Sequence, residues 1–308
     1  MEYADFYILQ NHFFLFVAYA RSNQLSSQHL NFVLSNQFLL VTCYFFSKYL
    51  INLNIQVSIG AFLGTAIALL LSFKLSQSYD RWWEARKIWG SIVNDSRTLV
   101  IQLKGFSKNK NPERTHTMAY RQIAWCYALS QGLRNEANSK NLNNFISEQE
   151  LNLVGFASNT PFAILNNQSQ DLCALHQENF VNDFQQIQID NTLVRLCCSM
   201  GQAERIKNTA FPKTYRLTLH LFIYIFLITL SFSLAEMPNL MEIPLMILIS
   251  IPFFLIEKIA FNIQDPFENK PTDIPMTSIS RTIEIDIKQQ LGVEDIPEPI
   301  TTDKFYVL

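Results

Sequence analysis

The stretch SYDRWWEARKIWG, from Ser78 to Gly90, follows closely after the uncharged apolar run IQVSIGAFLGTAIALLLSF, from Ile55 to Phe73. A run of about 20 apolar residues is long enough for a helix to cross the ~30 Å hydrocarbon core of a bilayer. The stretch behind it combines acidic and basic side chains with three of the protein's 4 tryptophans. Tryptophan favours membrane interfaces, and basic residues favour the cytoplasmic side of a membrane. The two segments together predict a membrane span that leads into a helix on the cytoplasmic side.

The composition also indicates a membrane protein. Of the 308 residues, 49% are hydrophobic and only 16% are charged, and there are 25 phenylalanines. Soluble domains usually have about 25% charged residues. The apolar residues are concentrated in a few runs, which a soluble core does not require. The net charge of −2 gives no reason to expect a nucleic acid as a partner.

Four segments are candidates for membrane spans. Two other segments resemble the run that begins at Ile55 in length and apolar character. A fourth segment is a weaker candidate because Asn36 and Gln37 interrupt it. The four candidates are Phe32–Leu50, Ile55–Phe73, Tyr215–Leu234 and Asn239–Phe261. An even number of spans places both termini on the same side of the membrane.

The distribution of basic residues predicts the orientation. The segment from Lys74 to Lys213 holds most of the 24 basic residues, whereas Glu236 to Glu242, between the last two spans, holds none. Basic residues collect on the cytoplasmic side, so both termini and the long middle region are expected in the cytoplasm. The predicted organisation is an N-terminal segment, spans one and two, a cytoplasmic helical region, spans three and four, and a cytoplasmic C-terminal segment, with the boundaries 1–31, 32–73, 74–214, 215–263 and 264–308.

Three helices are predicted in the middle region. Apolar residues recur at three- and four-residue steps from Tyr79 to Leu103, and further helices are expected at about Glu113–Leu133 and Phe180–Ile206. The Asn-rich stretch NEANSKNLNNF reads as a surface loop. A short amphipathic helix is expected after the proline-punctuated segment near the C-terminus.

The chain shows no pattern typical of an enzyme or a metal site. Its five histidines are scattered, its five cysteines form no CxxC pair, and neither a P-loop nor a nucleophile elbow is present. We therefore expect no catalytic residue, no bound metal and no cofactor. The cysteines are expected to be reduced and buried.

Three sequence blocks resemble the bacterial branch of the bestrophin family. The first is SYDRWWEARKIWG with the Ser-Arg pair of the following SIVNDSRTL, the second is ERIKNTAFPKTY (Glu204–Tyr215), and the third is DPFENKPTDIP (Asp265–Pro275). They occur in the family's order around the predicted spans. In the third block, Glu268 stands where the family usually has glycine.

The resemblance implies an all-α membrane protein, a homopentamer around one axial pore, in a bacterial inner membrane. Each subunit would have four transmembrane helices and a helical cytoplasmic region. Span two would line the pore, with Thr65, Leu69 and Phe73 at the family's neck positions, where Thr65 is smaller and more polar than usual. The alternative is that these residues pack against neighbouring helices. A second constriction inside the cell is expected at Phe184, with Ile187 as the alternative.

The residues that follow span two are predicted to lie at the inner membrane boundary and the subunit interface. They are Asp80, Arg81, Trp82, Trp83, Glu84 and Arg86. The alternative is a solvated helix face with interfacial aromatic side chains. Eukaryotic relatives bind calcium at an acidic run after the Pro-Phe-Gly element of the third block, but here that run, ENKPTD, has only Glu268 and Asp273 as acidic residues. Since calcium prefers six to eight oxygen ligands, no calcium activation is expected.

The expected function is passive conduction of small monovalent ions through a lipid bilayer. The match to the bacterial branch favours sodium, and a chloride channel of the same fold is the alternative. Asp183 and Asp190 would favour cations if they face the axis, whereas Arg205 and Lys207 would favour anions. A gated transporter is disfavoured by the absence of internal repeats. A non-conducting membrane scaffold is the remaining alternative.

Overall fold

The computed structural model describes residues 56–107, 112–136, 142–209, 213–234 and 242–301. These residues form helices and loops, with no strand among them. The α-helices in chain order are α1 (Val57–Ser107), α2 (Pro112–Leu133), α3 (Glu148–Gly155), α4 (Thr160–Gln177), α5 (Asp183–Asn208), α6 (Lys213–Leu234), α7 (Glu242–Asn262) and α8 (Met276–Leu291). A 3-10 turn at Leu142–Asn144 precedes α3. The predicted first span, Phe32–Leu50, lies outside the described residues.

A single helix replaces two predicted segments of the chain. The sequence predicts a span that ends at Phe73 and a helix from Tyr79, but α1 continues through both for 51 residues. Neither glycine nor proline occurs between Phe73 and Tyr79, so nothing in the backbone ends the helix there. Polar residues at this junction change the surface of the helix without interrupting its hydrogen bonds.

The chain divides into two compact units. The first, here called the membrane unit, comprises the residues up to Gln77 together with Phe211–Phe261. The second unit comprises Ser78–Ala210 and the residues from Asn262 onwards. Helix α1 therefore contributes its first part to the membrane unit and its remainder to the second unit.

The membrane unit contains apolar helices that pack around a core of their own. Three helices of the described chain are long and apolar enough to cross a bilayer, namely Val57–Phe106, Thr214–Leu234 and Pro244–Asn262. The unit's core includes Ile67 and Leu71 of α1, Ile223 and Leu227 of α6, and Phe254 of α7. Helix α7 continues through Pro252.

Helix α2 lies at the centre of the second unit. It packs against α4, α5 and α8, and every residue from Arg121 to Ser130 is buried. Two tryptophans, Trp89 of α1 and Trp125 of α2, are completely buried in the same core. Of the described cysteines only Cys126 is buried, whereas Cys173, Cys197 and Cys198 are exposed, so the expectation of buried thiols is wrong for these three.

The sequence did not predict α4, and a buried glutamine explains why. The helix buries Ile164 and Leu172 on one face, with Gln168 completely buried between them. The Gln168 amide donates a hydrogen bond to the Met118 carbonyl at 2.8 Å and accepts one from Arg121 at 3.3 Å. Because a polar residue occupies the middle of the buried face, the apolar periodicity that would indicate a helix is interrupted.

The other predicted helices of the second unit are present with modest differences at their ends. Helix α2 matches the predicted Glu113–Leu133 within one residue. Helix α5 begins later than predicted because Asn182 and Gln185 form a reciprocal capping box at its start. The predicted surface loop is partly wrong, since Leu142 within it is completely buried.

Replacement of Arg121 by methionine should strongly destabilise the second unit. The Arg121 guanidinium is nearly buried and binds Glu150 at 2.5 Å and Asp171 at 2.6 Å. Removal of one partner of a buried ion pair costs about 3–5 kcal/mol, because the remaining charge stays buried. Thermal unfolding of the purified protein should therefore show a large loss of stability.

Arg97→Met is the matched control. Arg97 binds Asp286 at 2.6 Å, but its side chain is about half exposed, so the pair should contribute at most about 1 kcal/mol. Equal losses of stability in the two variants would contradict the role assigned to Arg121.

Candidate functional site

Helix α1 exposes the predicted neck residues on one side of the membrane unit. Leu69 is 57% exposed and Phe73 is 56% exposed, and Thr65 is also exposed. On the opposite side of the helix, Ile67 is 2% exposed and Leu71 is 1% exposed within the unit's core. The structure thus places the three predicted neck residues on a common face that no other described helix covers.

The Thr65 hydroxyl is bound to its own helix. It donates a hydrogen bond to the Ala61 carbonyl oxygen at 2.9 Å. The donor capacity of the hydroxyl is therefore occupied, and only its oxygen lone pairs remain for other groups. At this position the helix presents a small polar group between larger apolar neighbours.

Helix α6 supports α1 directly behind this face. A Cβ atom added at Gly64 would lie 3.1 Å from the Phe226 ring, so the glycine allows the close approach of the two helices. The Tyr215 hydroxyl donates to the Leu70 carbonyl at 3.4 Å, and Lys74 lies over the Tyr215 ring. The position of the exposed face is therefore coupled to α6.

The residues predicted for the inner constriction lie at the start of α5. Phe184 is 85% exposed, and Ile187 one turn later is also exposed. A phenylalanine with this exposure is unfavourable in water unless another surface covers it or its position has a function. The capping box at Asn182 holds this end of the helix in place.

The charged residues of α5 differ in whether they form ion pairs within the chain. Asp183 is 82% exposed and lies 2.7 Å from His176 Nε2 at the end of α4. Asp190 is exposed two turns further along α5. The two basic residues that would favour anions are paired within the chain, Arg205 with Glu84 at 2.6 Å and Lys207 with Asp265 at 3.0 Å.

The three blocks of family-like sequence meet around Arg81. The Arg81 guanidinium donates to the carbonyl of Gln264 at 2.8 Å and to the carbonyl of Ile206. The Trp82 indole donates to the Thr272 carbonyl at 3.0 Å. Residues of the first block therefore bind the main chain of the second and third blocks or their immediate neighbours.

The predicted interface residues fall into two groups. Arg81, Trp82 and Glu84 form hydrogen bonds within the chain, so part of their role is internal. Asp80, Trp83 and Arg86 are exposed. The Tyr79, Trp82 and Trp83 rings stack along one side of the helix. A contact with a neighbouring subunit stays a prediction for the exposed group.

The third block folds into a compact turn. The Asp265 carboxylate accepts a hydrogen bond from the Phe267 backbone at 3.1 Å, and Asp273 accepts one from the Lys270 backbone at 3.0 Å. Glu268 pairs with the Lys270 ammonium group. Burial raises the pKa of the Asp273 carboxyl. Among the described residues, no group of three or more His, Cys, Asp or Glu side chains is placed to hold a metal ion.

Residues 13–289 match the family described as Bacterial/Fungal Bestrophin protein. The chain belongs to this family. A bacterial bestrophin homologue from Klebsiella pneumoniae has the same fold, with a TM-score of 0.79 and 25% sequence identity. That comparison covers 85% of this chain and 98% of the other. The family resemblance inferred from the three blocks is therefore confirmed, and this bestrophin is a membrane protein whose described residues form helices and no strand.

Two bacterial proteins are similar in sequence to this chain over most of its length. This bestrophin is 30% identical over 282 residues to the voltage-dependent anion channel-forming protein YneE of Escherichia coli (strain K12), with 91% of this chain and 90% of that protein covered. It is 28% identical over 243 residues to the voltage-dependent anion channel-forming protein mll4386 of Mesorhizobium japonicum, with 79% and 77% covered. The preference for sodium drawn from the sequence has no support in these names, which specify anions.

The sequence analysis overlooked one charged residue of the membrane unit. Glu257 of α7 is 5% exposed and lies near Arg216 and His220 of α6. An acidic residue several positions inside the end of an apolar run is a signal that could have identified it, because ionisable residues inside membrane spans are rare and usually functional.

Substitution of Gly64 by alanine should loosen the contact between α1 and α6. The added methyl group would lie 3.1 Å from the Phe226 ring, whereas a methyl group at Gly60 would lie 3.8 Å from Ser233, an ordinary contact. Alanine favours a helix over glycine by about 1 kcal/mol, so Gly60→Ala should be neutral or stabilising. Overpacking should make Gly64→Ala less stable than Gly60→Ala by about 1–3 kcal/mol.

The measurement is thermal unfolding of the two variants in the same detergent, with the unsubstituted protein as reference. Gly60→Ala serves as the matched control because it makes the same chemical change on the same helix. If both substitutions shift the unfolding temperature alike, the close approach at Gly64 is not important for packing.

Proposed function

We propose that five copies of this bestrophin surround one axial pore and conduct small anions passively across the membrane. The observation that carries the proposal is the exposed face of α1, where Leu69 and Phe73 are each more than half exposed. Membership of the bestrophin family and the names of the relatives support an ion channel rather than an enzyme or a scaffold. The pentamer is the assembly that would bring this face of each copy to a common axis.

In the proposed pore, the neck is a ring of apolar side chains. Five copies of Leu69 and Phe73 would form a constriction in which water is unstable, and such constrictions gate by dewetting. Thr65 would leave the adjoining ring wider and more polar. Opening would then require only a small outward movement or rotation of α1.

The second constriction is proposed at Phe184, with Ile187 behind it. The edge of an aromatic ring carries partial positive charge, so ring edges that point to the axis would favour an anion. The start of α5 adds the positive end of a helix dipole. Together these two features support conduction of anions at a site without a free basic side chain.

Conduction of sodium is the second candidate, and one observation favours it. Asp183 is 82% exposed beside Phe184, and Asp190 is exposed on the same helix. Five copies of each would place carboxylates near the inner constriction and attract cations. His176 binds Asp183 and would reduce this effect when the imidazole is protonated.

The proposed topology places the protein in a bacterial inner membrane with both termini in the cytoplasm. The predicted span at Phe32–Leu50 would join the three helices that fit a bilayer and make four spans. The basic residues between Lys74 and Lys213 support the cytoplasmic side for the middle region. Asp80, Trp83 and Arg86 are proposed to lie at the inner boundary and contact the neighbouring subunit.

A reversal-potential measurement tests the proposal. The purified protein would first be weighed by native mass spectrometry, and a mass of five chains is expected. Planar bilayers would then be recorded under a sodium chloride gradient. A reversal potential near the chloride equilibrium value supports the anion channel, and one near the sodium value replaces it with the cation channel. The absence of current from a correctly folded pentamer would favour a scaffold.

Truncation of the neck should increase conductance. Leu69→Ala and Phe73→Ala each remove apolar surface from the proposed constriction, so the barrier to water and ions should fall and single-channel conductance should rise several-fold. Leu221→Ala is the matched control, because Leu221 is an exposed apolar residue of α6 rather than of the pore helix. An equal effect of all three substitutions would contradict the placement of the neck on α1.

A further inference from the structure

The membrane unit buries a carboxylate between two of its helices. The side chain of Glu257 in α7 is 5% exposed, and two basic side chains of α6 approach it. Arg216 Nε lies 3.9 Å and His220 Nε2 lies 3.7 Å from Glu257 Oε1. An ionised carboxylate is costly in an apolar span unless opposite charges accompany it. The proposed pore does not use this cluster.

Arg216 supplies a constant charge to the cluster. Its side chain is half exposed, and its guanidinium lies 4.1 Å from the centre of the Phe261 ring. A guanidinium stays protonated at every physiological pH, so Arg216 cannot make the cluster responsive to pH. Any change of charge must come from His220 or Glu257.

The orientation of His220 determines where its protons can lie. Nδ1 is 3.0 Å from the Arg216 carbonyl oxygen. A carbonyl oxygen only accepts hydrogen bonds, so Nδ1 carries a proton in every favourable state. In the neutral imidazole, Nε2 then presents a lone pair, and this lone pair faces the Glu257 carboxylate. The contact becomes attractive only when one additional proton lies on Nε2 or on the carboxylate.

We infer that His220 and Glu257 form a proton-binding site between α6 and α7. With the proton bound, either an imidazolium faces a carboxylate or a carboxylic acid faces an imidazole nitrogen, and both arrangements join the helices. Without the proton, a lone pair faces a negative charge and the contact is repulsive. Imidazole is the side chain whose unperturbed charge change falls near physiological pH, so that range is the one in which the site is tested.

Other charged and titratable groups lie on the same helices as the pair and on α1. The Tyr224 ring on α6 lies 6.4 Å from the imidazole, centre to centre, and Lys258 follows Glu257 on α7. On α1, Lys74 lies over the Tyr215 ring at 5.9 Å. Binding of one proton by the pair changes the net charge of the cluster by one.

The site is connected to the face of α1 that carries the proposed neck. Helix α6 contacts α1 through the Phe226 ring at Gly64 and through the Tyr215 hydroxyl at the Leu70 carbonyl. These contacts flank Leu69, so a change in how α6 packs on α7 reaches the proposed constriction. This consequence, a conductance that depends on pH, rests on the proposed function, whereas the proton site itself does not.

The experiment uses two measurements on the full-length protein in lipid nanodiscs or bilayers. Nitrogen-15 NMR of histidine-labelled protein reports the protonation of each imidazole, and bilayer recording reports conductance. Both would be measured from about pH 8 to about pH 5, the range in which imidazole changes charge. The variants are His220→Gln and Glu257→Gln, with His116→Gln in α2 as a control that lies in the second unit.

The expected NMR result is a His220 signal with a constant proton on Nδ1 and an Nε2 signal that changes with pH, as Nε2 gains either a proton or a hydrogen bond from the protonated carboxyl group. Glu257→Gln should move this transition, because glutamine carries no charge to stabilise an imidazolium. Conductance of the unsubstituted protein should change several-fold over the same range. His220→Gln should abolish that change, and His116→Gln should retain it.

Two outcomes would overturn the inference. One is a His220 signal that does not change with pH, or that changes identically in Glu257→Gln. The other is an unaltered pH dependence of conductance in His220→Gln. If no variant conducts, the proposed function fails, and the NMR measurement still decides whether the proton site exists.

Discussion

The continuity of α1 is the constraint on which the rest of the structure depends. Its 51 residues correspond to about 77 Å of helix, more than twice the ~30 Å hydrocarbon core of a bilayer. The same helix must therefore be compatible with an apolar environment along one part of its length and with a polar environment along another part. It exposes Leu69 and Phe73 in the membrane unit and buries Trp89 in the core of the second unit. Its backbone has no break at which the two environments could be separated.

Arg81 explains why three distant sequence blocks occur together. The last carbonyl groups of a helix have no partner within that helix. The Arg81 guanidinium binds the Ile206 carbonyl near the end of α5 and the Gln264 carbonyl after α7. A lysine could not reach both with the same fixed geometry, because only the guanidinium presents several donors in one plane. Through these hydrogen bonds, Arg81 of the first block connects residues of the second block and the residue before the third block.

Charge pairing limits where ion selectivity can arise. Among the described residues of the second unit, most basic side chains bind carboxylates of the same chain, as Arg205 binds Glu84 and Lys207 binds Asp265. A paired charge produces a weaker field at a distance than a free one. In the proposed pore, the exposed groups at the start of α5, Phe184 and Asp183, would therefore have the greater influence on a passing ion. The relatives' names and this acidic side chain point in opposite directions, so selectivity in that pore would depend on how the ring and the carboxylate are arranged around the proposed axis.

The sequence by itself determined the family, three of the four predicted apolar spans and most helices of the second unit. These follow from local properties: charge-free runs, interfacial tryptophans and apolar residues at helical spacing. Tertiary structure alone decided the existence of α4, the partner of Glu84 and the burial of Glu257. Gln168 shows the reason, because its hydrogen bond to the Met118 carbonyl joins residues 50 positions apart. A polar residue satisfied by such a distant partner has no signature in its own neighbourhood, so only the folded chain shows that it is buried.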